Sequence, residues 1–231
     1  MVNKFRDPIL TPLETARHLR INERTLYRWL HEKAAGEPLV HAVEAEKRGG
    51  PSVPFVAVVE AYVLHALRDL GLSLHKIREA AEAVRREFGE PYGLATRRIA
   101  TDGVEIFVDH AGDLARARDG QRPIREVIED YLRYITWEAD GRTPQRLRLM
   151  QYPDVAPVII DPRFGWGAPV VASNKVQVDA IVGLWQAGEP LEVVGDEFGL
   201  AAVSDRSSTK PSTAIGRKLR SCSAGFVVPP C

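Results

Sequence analysis

Four polar side chains near the N-terminus have the types and the spacing needed to bind DNA. Arg24, Thr25, Tyr27 and Arg28 lie in the stretch NERTLYRWL, whose apolar residues recur at helical spacing on another face. An arginine can pair with a guanine edge or a phosphate, and threonine and tyrosine hydroxyls can donate hydrogen bonds to phosphate oxygens. The pattern therefore predicts a helix with a DNA-facing side, and the alternative is an ordinary helix whose polar face meets only water.

Two short helices are expected to position these side chains. Thr11 is followed by a proline and, three residues later, by Glu14, which is the pattern of a capping box that starts a helix. Asn22 is the expected N-cap of the second helix, after a break of three residues. The arrangement predicts a helix-turn-helix, and we include Thr11 and Asn22 among its DNA contacts. The turn of this motif often contains glycine, whereas Arg20 occupies that region here.

The composition sets limits on the class of protein. The chain has 231 residues, of which 45% are hydrophobic and 27% are charged, so it can bury the core of one large domain or two modest ones. Its 31 basic and 31 acidic residues cancel, which excludes a general basic coat but permits a local basic face. We expect a cytosolic protein without a membrane partner, because no apolar run reaches the roughly 20 residues of a membrane helix and the N-terminus lacks a signal peptide.

Metal, cofactor and catalytic sites are not predicted. The two cysteines, Cys222 and Cys231, both lie in the last ten residues, and the six histidines have no metal-ligand spacing. No serine or cysteine lies in a nucleophile elbow, and no glycine-rich stretch has the strand and helix context of a phosphate loop. We therefore expect no cofactor and no enzyme activity.

The rest of the chain predicts a mainly α fold with short β-hairpins. Helices are expected from Phe55 to Leu70 and from Ser73 to Phe88, and a third starts at Pro123. Hairpins are predicted at the turns Asp102-Gly103 and Asp140-Gly141. After a proline-bracketed boundary at residues 151–157, two short strands around a bend precede two more helices, near residues 179–187 and 190–198.

The front of the chain resembles the N-terminal module of MerR-type regulators. The similarity covers roughly Leu10 to Phe88, and it is carried by LTPLETARHLRINERTLYRWL and ALRDLGLSLHKIREAAEAVRREFG. It implies a winged helix-turn-helix, in which Lys47 and Arg48 are phosphate contacts on the wing. The helix from Ser73 to Phe88 carries charged residues on three sides, and Ala80 and Ala81 permit close approach, so we predict a homodimer through this helix that would set two recognition helices about one DNA turn apart. The alternative is that these alanines pack inside one subunit.

A second resemblance covers about Val158 to Leu200. The stretch VIIDPRFGWGAPVVASNKVQVDAIVGLWQAGEPLEVVGDEFGL is similar to a small domain of VapB-like antitoxins in its Asp-Pro-Arg entry, its Gly-x-Pro-Val bend and its Phe-Gly-Leu close. Ser173, Asn174 and Lys175 stand where that family usually shows Gly-Thr-Arg, so only the cation is kept. After Leu200 the family continues into a helix, but here a Ser-, Pro- and Arg-rich tail follows, which we expect to be poorly ordered.

Together the two resemblances imply an antitoxin of a type II toxin–antitoxin pair. Such a protein neutralises a PIN-domain ribonuclease toxin and binds operator DNA to repress its own operon. A PIN ribonuclease gathers carboxylates around a divalent metal, so we predict toxin contacts by Arg163, Trp166 and Lys175. The alternative for this segment is that Arg163 pairs with Asp161 or Asp179 and that Trp166 fills the local core.

The predicted organisation has three parts, which are a MerR-like winged-helix domain (1–150), a small helical antitoxin-associated domain (155–203) and a basic tail (204–231). The alternative function is a MerR-like transcriptional regulator that senses a small ligand or a protein and has no toxin partner. A cavity with convergent polar groups would favour that alternative.

Overall fold

The computed structural model describes residues 2–32, 38–89, 91–100 and 124–200. It has seven α-helices and six strands within these ranges. The helices are α1 (Pro12–Leu19), α2 (Glu23–His31), α3 (Phe55–Asp69), α4 (Leu74–Phe88), α5 (Ile124–Leu132), α6 (Val178–Gln186) and α7 (Leu191–Glu197). The strands are β1 (Pro8–Leu10), β2 (Val53–Pro54), β3 (Ile135–Trp137), β4 (Pro144–Arg148), β5 (Val158–Ile160) and β6 (Val170–Val171).

The predicted starts of the first two helices are confirmed. The Thr11 hydroxyl accepts from the Glu14 backbone N–H at 3.1 Å, while the Glu14 carboxylate accepts from the Thr11 backbone N–H at 2.8 Å. Asn22 Oδ1 accepts from the Arg24 backbone N–H at 3.1 Å. Both caps satisfy backbone donors that the first turn of a helix leaves without partners.

The turn between α1 and α2 depends on an arginine in a glycine-like conformation. Arg20 ends α1 with a φ of 57°, in the left-handed region. Its backbone N–H donates to the carbonyls of Ala16 and Arg17, which closes the last turn of the helix. The absence of glycine from this turn therefore does not prevent the sharp change of direction.

Helices α3 and α4 form the centre of the core. α3 is buried along most of its length, and α4 packs one apolar face against it with Ile77, Ala80, Ala81 and Val84. Ser73 caps α4 as predicted, since its hydroxyl accepts from the Lys76 backbone N–H at 3.3 Å. Ala80 and Ala81 are 1% and 0% exposed, so they pack inside the subunit, as in the alternative, and do not present the predicted dimer surface.

The fold is a mixture of helix and sheet rather than mainly α with isolated hairpins. The four strands β3-β4-β5-β6 form one antiparallel sheet, and a second sheet pairs β1 with β2. The predicted hairpin at Asp140-Gly141 joins β3 to β4, and the predicted pair of strands around the later bend is β5 and β6. The C-terminal segment also departs from the expected small helical domain, because these two strands lie beside its helices.

The sheet continues across the predicted boundary at residues 151–157. Leu147 of β4 is the register partner of Ile160 in β5, and both are fully buried in the main core. Strand pairing thus links the two predicted segments, and their division into separate domains stays a prediction. The predicted hairpin at Asp102-Gly103, the helix start at Pro123 and the tail after residue 203 lie outside the described residues.

Candidate nucleic-acid and partner interfaces

Helix α2 separates an apolar face from a polar face, as the spacing predicts. Leu26, Trp29 and Leu30 are at most 4% exposed and pack into the main core. Arg24, Tyr27 and Arg28 are exposed on the other side, and Thr25 is half-buried. The helix therefore presents two guanidinium groups and a phenol to solvent from a rigid support.

The two arginines of α2 keep their charge available. Within the described part of the chain, neither Arg24 nor Arg28 forms an ion pair. A cation without an intramolecular partner gains more from a phosphate than one that must first leave a carboxylate. These two groups form the strongest candidate for a nucleic-acid contact.

Tyr27 is held in place by a residue that the sequence analysis missed. The Tyr27 and His31 rings stack at 4.1 Å between centroids with an interplanar angle of 22°. The Nδ1 atom of His31 donates to the Tyr27 carbonyl at 2.9 Å, because a carbonyl oxygen can only accept. The i,i+4 spacing of an aromatic residue and a histidine on one helix was the available signal.

The structure gives Thr11 and Asn22 capping roles. The Thr11 hydroxyl also donates to Glu14 Oε2 at 2.8 Å, so its hydrogen atom and one lone pair are already engaged. The Asn22 side-chain NH2 has no hydrogen-bond partner among the described residues, while its Oδ1 atom caps the helix. Both residues cap a helix, and their contacts with DNA stay a prediction.

Lys47 and Arg48 lie at the tip of a loop formed by residues 43–52. The Val43 N–H donates to the Ser52 carbonyl at 2.9 Å, and the Gly50 N–H donates to the Lys47 carbonyl at 2.8 Å, which closes the turn. Both cations are exposed, and neither forms an ion pair with a described residue. The loop returns to the fold at β2, next to β1 and α1.

The bend between β5 and β6 presents an almost fully exposed tryptophan. Trp166 is 86% exposed and has a φ of 55° and a ψ of 28°, a left-handed conformation that is strained for a bulky residue. Gly165 and Gly167 on either side also have positive φ values. A Cβ atom on Gly167 would lie 2.6 Å from the Ile9 Cβ, so the bend is seated closely against β1. The alternative in which Trp166 fills the local core is wrong.

Arg163 is paired inside the chain. Its Nε and Nη2 atoms donate to the two carboxylate oxygens of buried Asp161 at 2.9 and 2.7 Å, and these hydrogen bonds raise the pKa of Arg163. The expected pairing of Arg163 with Asp161 is thus confirmed. The charge of Arg163 is largely balanced by Asp161, although its side chain is 43% exposed.

Lys175 lies near Arg163 on the neighbouring turn. Its ammonium donates to the Ala172 carbonyl and lies 5.4 Å from the centroid of the Phe164 ring, while the Arg163 guanidinium is 5.5 Å from the same centroid. Lys175 forms no ion pair with a described residue. The structure therefore brings the two cations together around one aromatic ring, beside the exposed Trp166.

A cleft of about 220 Å³ lies between the end of α1, α3 and the loop after β4. Some of its polar groups form contacts within the chain. The Tyr62 hydroxyl donates to the Tyr131 carbonyl at 2.9 Å, and His65 lies 3.6 Å from Asp69.

The described residues show no metal-binding cluster and no membrane-spanning helix. No group of three or more histidine, cysteine, aspartate or glutamate side chains in them is arranged to hold a metal ion. None of their helices has the length and apolar character needed to cross a membrane.

The chain is similar to known proteins over most of its length. A family profile described as "Putative DNA-binding HTH domain" matches residues 8–81. "Putative antitoxin VapB45" of Mycobacterium tuberculosis (strain ATCC 25618 / H37Rv) is 32% identical over 219 residues, which cover 85% of this chain and 90% of that protein. The crystal structure of Rv2018 from Mycobacterium tuberculosis is 30% identical and covers 95% of this chain and 99% of that chain, with a TM-score of 0.73.

Proposed function

The chain belongs to the family of the antitoxin VapB45, and from that premise we propose that it neutralises a PIN-type ribonuclease and represses its own operon by binding operator DNA. Residues of α2 and of the 43–52 loop contact the DNA, and the bend around Trp166 contacts the toxin. The protein has no catalytic activity of its own in this proposal. It acts in the cytosol, which also contains the operator DNA.

The observation that carries the DNA-binding part is the pair of arginines on α2 that form no ion pair with any described residue. Arg24 and Arg28 lie one helical turn apart and are exposed, while the opposite face of the helix is locked into the core by Leu26 and Trp29. A helix supported in this way can enter the major groove without losing order, and its arginines can pair with guanine edges. Lys47 and Arg48 would add phosphate contacts beside it.

Trp166 supports the toxin-binding part. A large aromatic side chain that is exposed on a rigid support is typical of the anchors that dominate protein–protein interfaces. Gly167 packs directly on Ile9, which holds the bend against β1, and an anchor held in place before binding loses less conformational entropy when it binds. The chain thus keeps a strained, exposed tryptophan where folding alone would favour a small polar residue.

Lys175 is the better candidate for neutralising the toxin's carboxylates. The active site of a PIN ribonuclease gathers carboxylates around a divalent metal, and a cation that covers it opposes metal binding. Arg163 already forms a bidentate pair with Asp161, whereas the Lys175 ammonium contacts the Ala172 carbonyl and the Phe164 ring and forms no ion pair with a described residue. Arg163 would then shape the bend and contribute part of its exposed surface.

A homodimer remains part of the proposal, since operators with two half-sites are read by proteins with two-fold symmetry. Its interface does not use Ala80 and Ala81, which are buried within the subunit.

One experiment with reciprocal variants tests both parts. The purified chain is mixed with the protein encoded by the neighbouring gene and, separately, with a duplex from the region upstream of its own gene. Arg24→Ala and Arg28→Ala should each weaken duplex binding by about 1–3 kcal/mol and leave the neighbour's affinity unchanged. Trp166→Ala should weaken binding of the neighbour by about 2 kcal/mol or more and leave duplex binding unchanged.

Each set of variants is the control for the other, and Val155→Ala changes a second exposed apolar side chain, one that is 65% exposed and lies outside the bend. Unchanged duplex affinity in both arginine variants would remove α2 from the DNA interface. A neighbour that is not a nuclease, or that does not bind the wild-type chain, would overturn the antitoxin assignment.

A further inference from the structure

A buried carboxylate on α3 binds the chain segment that leads into the 43–52 loop. Glu60 is fully buried. Its Oε2 atom accepts from the His41 backbone N–H at 3.1 Å and from His41 Nδ1 at 2.9 Å. Its Oε1 atom lies 3.5 Å from Arg85 Nη2.

Arg85 of α4 binds the same segment from the other side. Its Nη1 atom donates to the Pro38 carbonyl at 3.1 Å, and its Nη2 atom donates to the Leu39 carbonyl at 2.8 Å. The backbone of Val40 donates to the Trp29 carbonyl at 3.1 Å, which ties the segment to α2. Three helices therefore fix residues 38–41, from which the chain proceeds directly to Val43 and the loop.

This arrangement costs more than an apolar core would. The Glu60 Oε1 and Arg85 Nε atoms are buried and have no hydrogen-bond partner among the described residues. Replacing a buried ion pair by apolar side chains of similar volume is often neutral or stabilising. The hydrogen bonds of an ionic network are directional, so they fix the orientation in which the backbone of residues 38–41 leaves the core.

We infer that His41, Glu60 and Arg85 are positioning residues that orient the 43–52 loop relative to α2, so that Lys47 and Arg48 reach DNA phosphates while α2 occupies the groove. The inference rests on the proposed DNA binding. None of the three residues touches the duplex in this scheme. They act only through the loop whose base they hold.

A double-mutant cycle on the salt dependence of binding tests this inference. Affinity for the upstream duplex is measured across a range of salt concentrations for the wild type, Lys47→Ala/Arg48→Ala, Glu60→Gln, and the combination of all three substitutions. Removing the two cations should reduce the slope of log affinity against log salt by about 2, since each lost phosphate contact contributes about 0.9. Glu60→Gln should reduce the slope similarly, and the combination should lower it no further.

Additive effects in the combined variant would overturn the inference, because they would mean that Glu60 does not act through the loop. If Glu60→Gln does not fold, as judged by circular dichroism, His41→Gln replaces it in the cycle with the same expectation. A wild-type chain that does not bind the duplex refutes the DNA-binding part of the proposed function. Normal binding by Lys47→Ala/Arg48→Ala, with an unchanged salt slope, refutes the phosphate contacts of the loop and the positioning role that depends on them, and it leaves DNA binding by α2 standing.

Discussion

Trp166 combines two features that a folding sequence normally avoids. It exposes 86% of a large aromatic side chain, and it adopts a left-handed backbone conformation that costs a bulky residue free energy. The sequence alone marks the segment, because the glycines on both sides of the tryptophan indicate an unusual bend. It does not reveal that the side chain points away from the core, since exposure depends on how β1 packs against the bend.

Trp166→Asn should therefore separate folding from binding. Asparagine tolerates the left-handed conformation, so we expect the free energy of unfolding to stay constant or to rise by up to about 1 kcal/mol, while toxin binding is lost. Urea denaturation followed by circular dichroism measures the stability. Gly167→Ala is the matched control in the same bend, and it should lower the free energy of unfolding by at least about 1 kcal/mol because its Cβ would lie 2.6 Å from the Ile9 Cβ. A destabilised Trp166→Asn would show that the indole packs within the chain.

Among the features of helices and strands, the sequence predicts most accurately those that depend on residues close together in the chain. The caps at Thr11, Asn22 and Ser73 agree with the structure because a cap uses only side chains and backbone within a few residues. The pairing of β1 with β2 was missed, since each strand has two or three residues and their partners are more than 40 positions apart in the chain. The contacts of Glu60 with His41 and Arg85 were missed for a similar reason, because they join residues from α3, α4 and a loop.

Thr11→Ala tests whether this residue serves the helix or the DNA. The substitution removes the acceptor for the Glu14 N–H and the partner of the Glu14 carboxylate, so the free energy of unfolding should fall by about 1 kcal/mol. Thr11→Ser keeps both hydrogen bonds and should restore the stability. Duplex affinity measured well below the unfolding transition should be nearly unchanged in both variants. A loss of affinity in Thr11→Ala without a loss of stability would instead make Thr11 a direct DNA contact.

Strand pairing, a hydrogen bond and close packing connect the proposed DNA-binding residues with the proposed toxin-binding bend. β4 and β5 pair across the loop at residues 151–157, Gln151 Nε2 donates to the His18 carbonyl at 2.8 Å, and the bend at Gly167 packs on Ile9. The charge of residues 176–200 differs from that of the proposed DNA-binding residues. Residues 176–200 contain five carboxylates and no lysine or arginine, which disfavours DNA contact there and is consistent with a protein-facing role; the five are Asp179, Glu189, Glu192, Asp196 and Glu197.

This continuity predicts that the described fold unfolds as one unit. A fragment of residues 1–150 would keep α1 to α5 but lose β5, so Leu147 would be deprived of its partner Ile160 and of the apolar side chains packed around it. We expect the full chain to show a single cooperative transition in urea, and the fragment to show none or one at a clearly lower concentration. A fragment of residues 1–200 is the control, because it keeps every described helix and strand and lacks only the residues after 200. It shows whether a change in stability comes from losing β5 and β6 or from losing the tail. If the fragment of residues 1–150 unfolded as cooperatively as the full chain, the boundary at residues 151–157 would divide two independent domains, as the sequence pattern predicts.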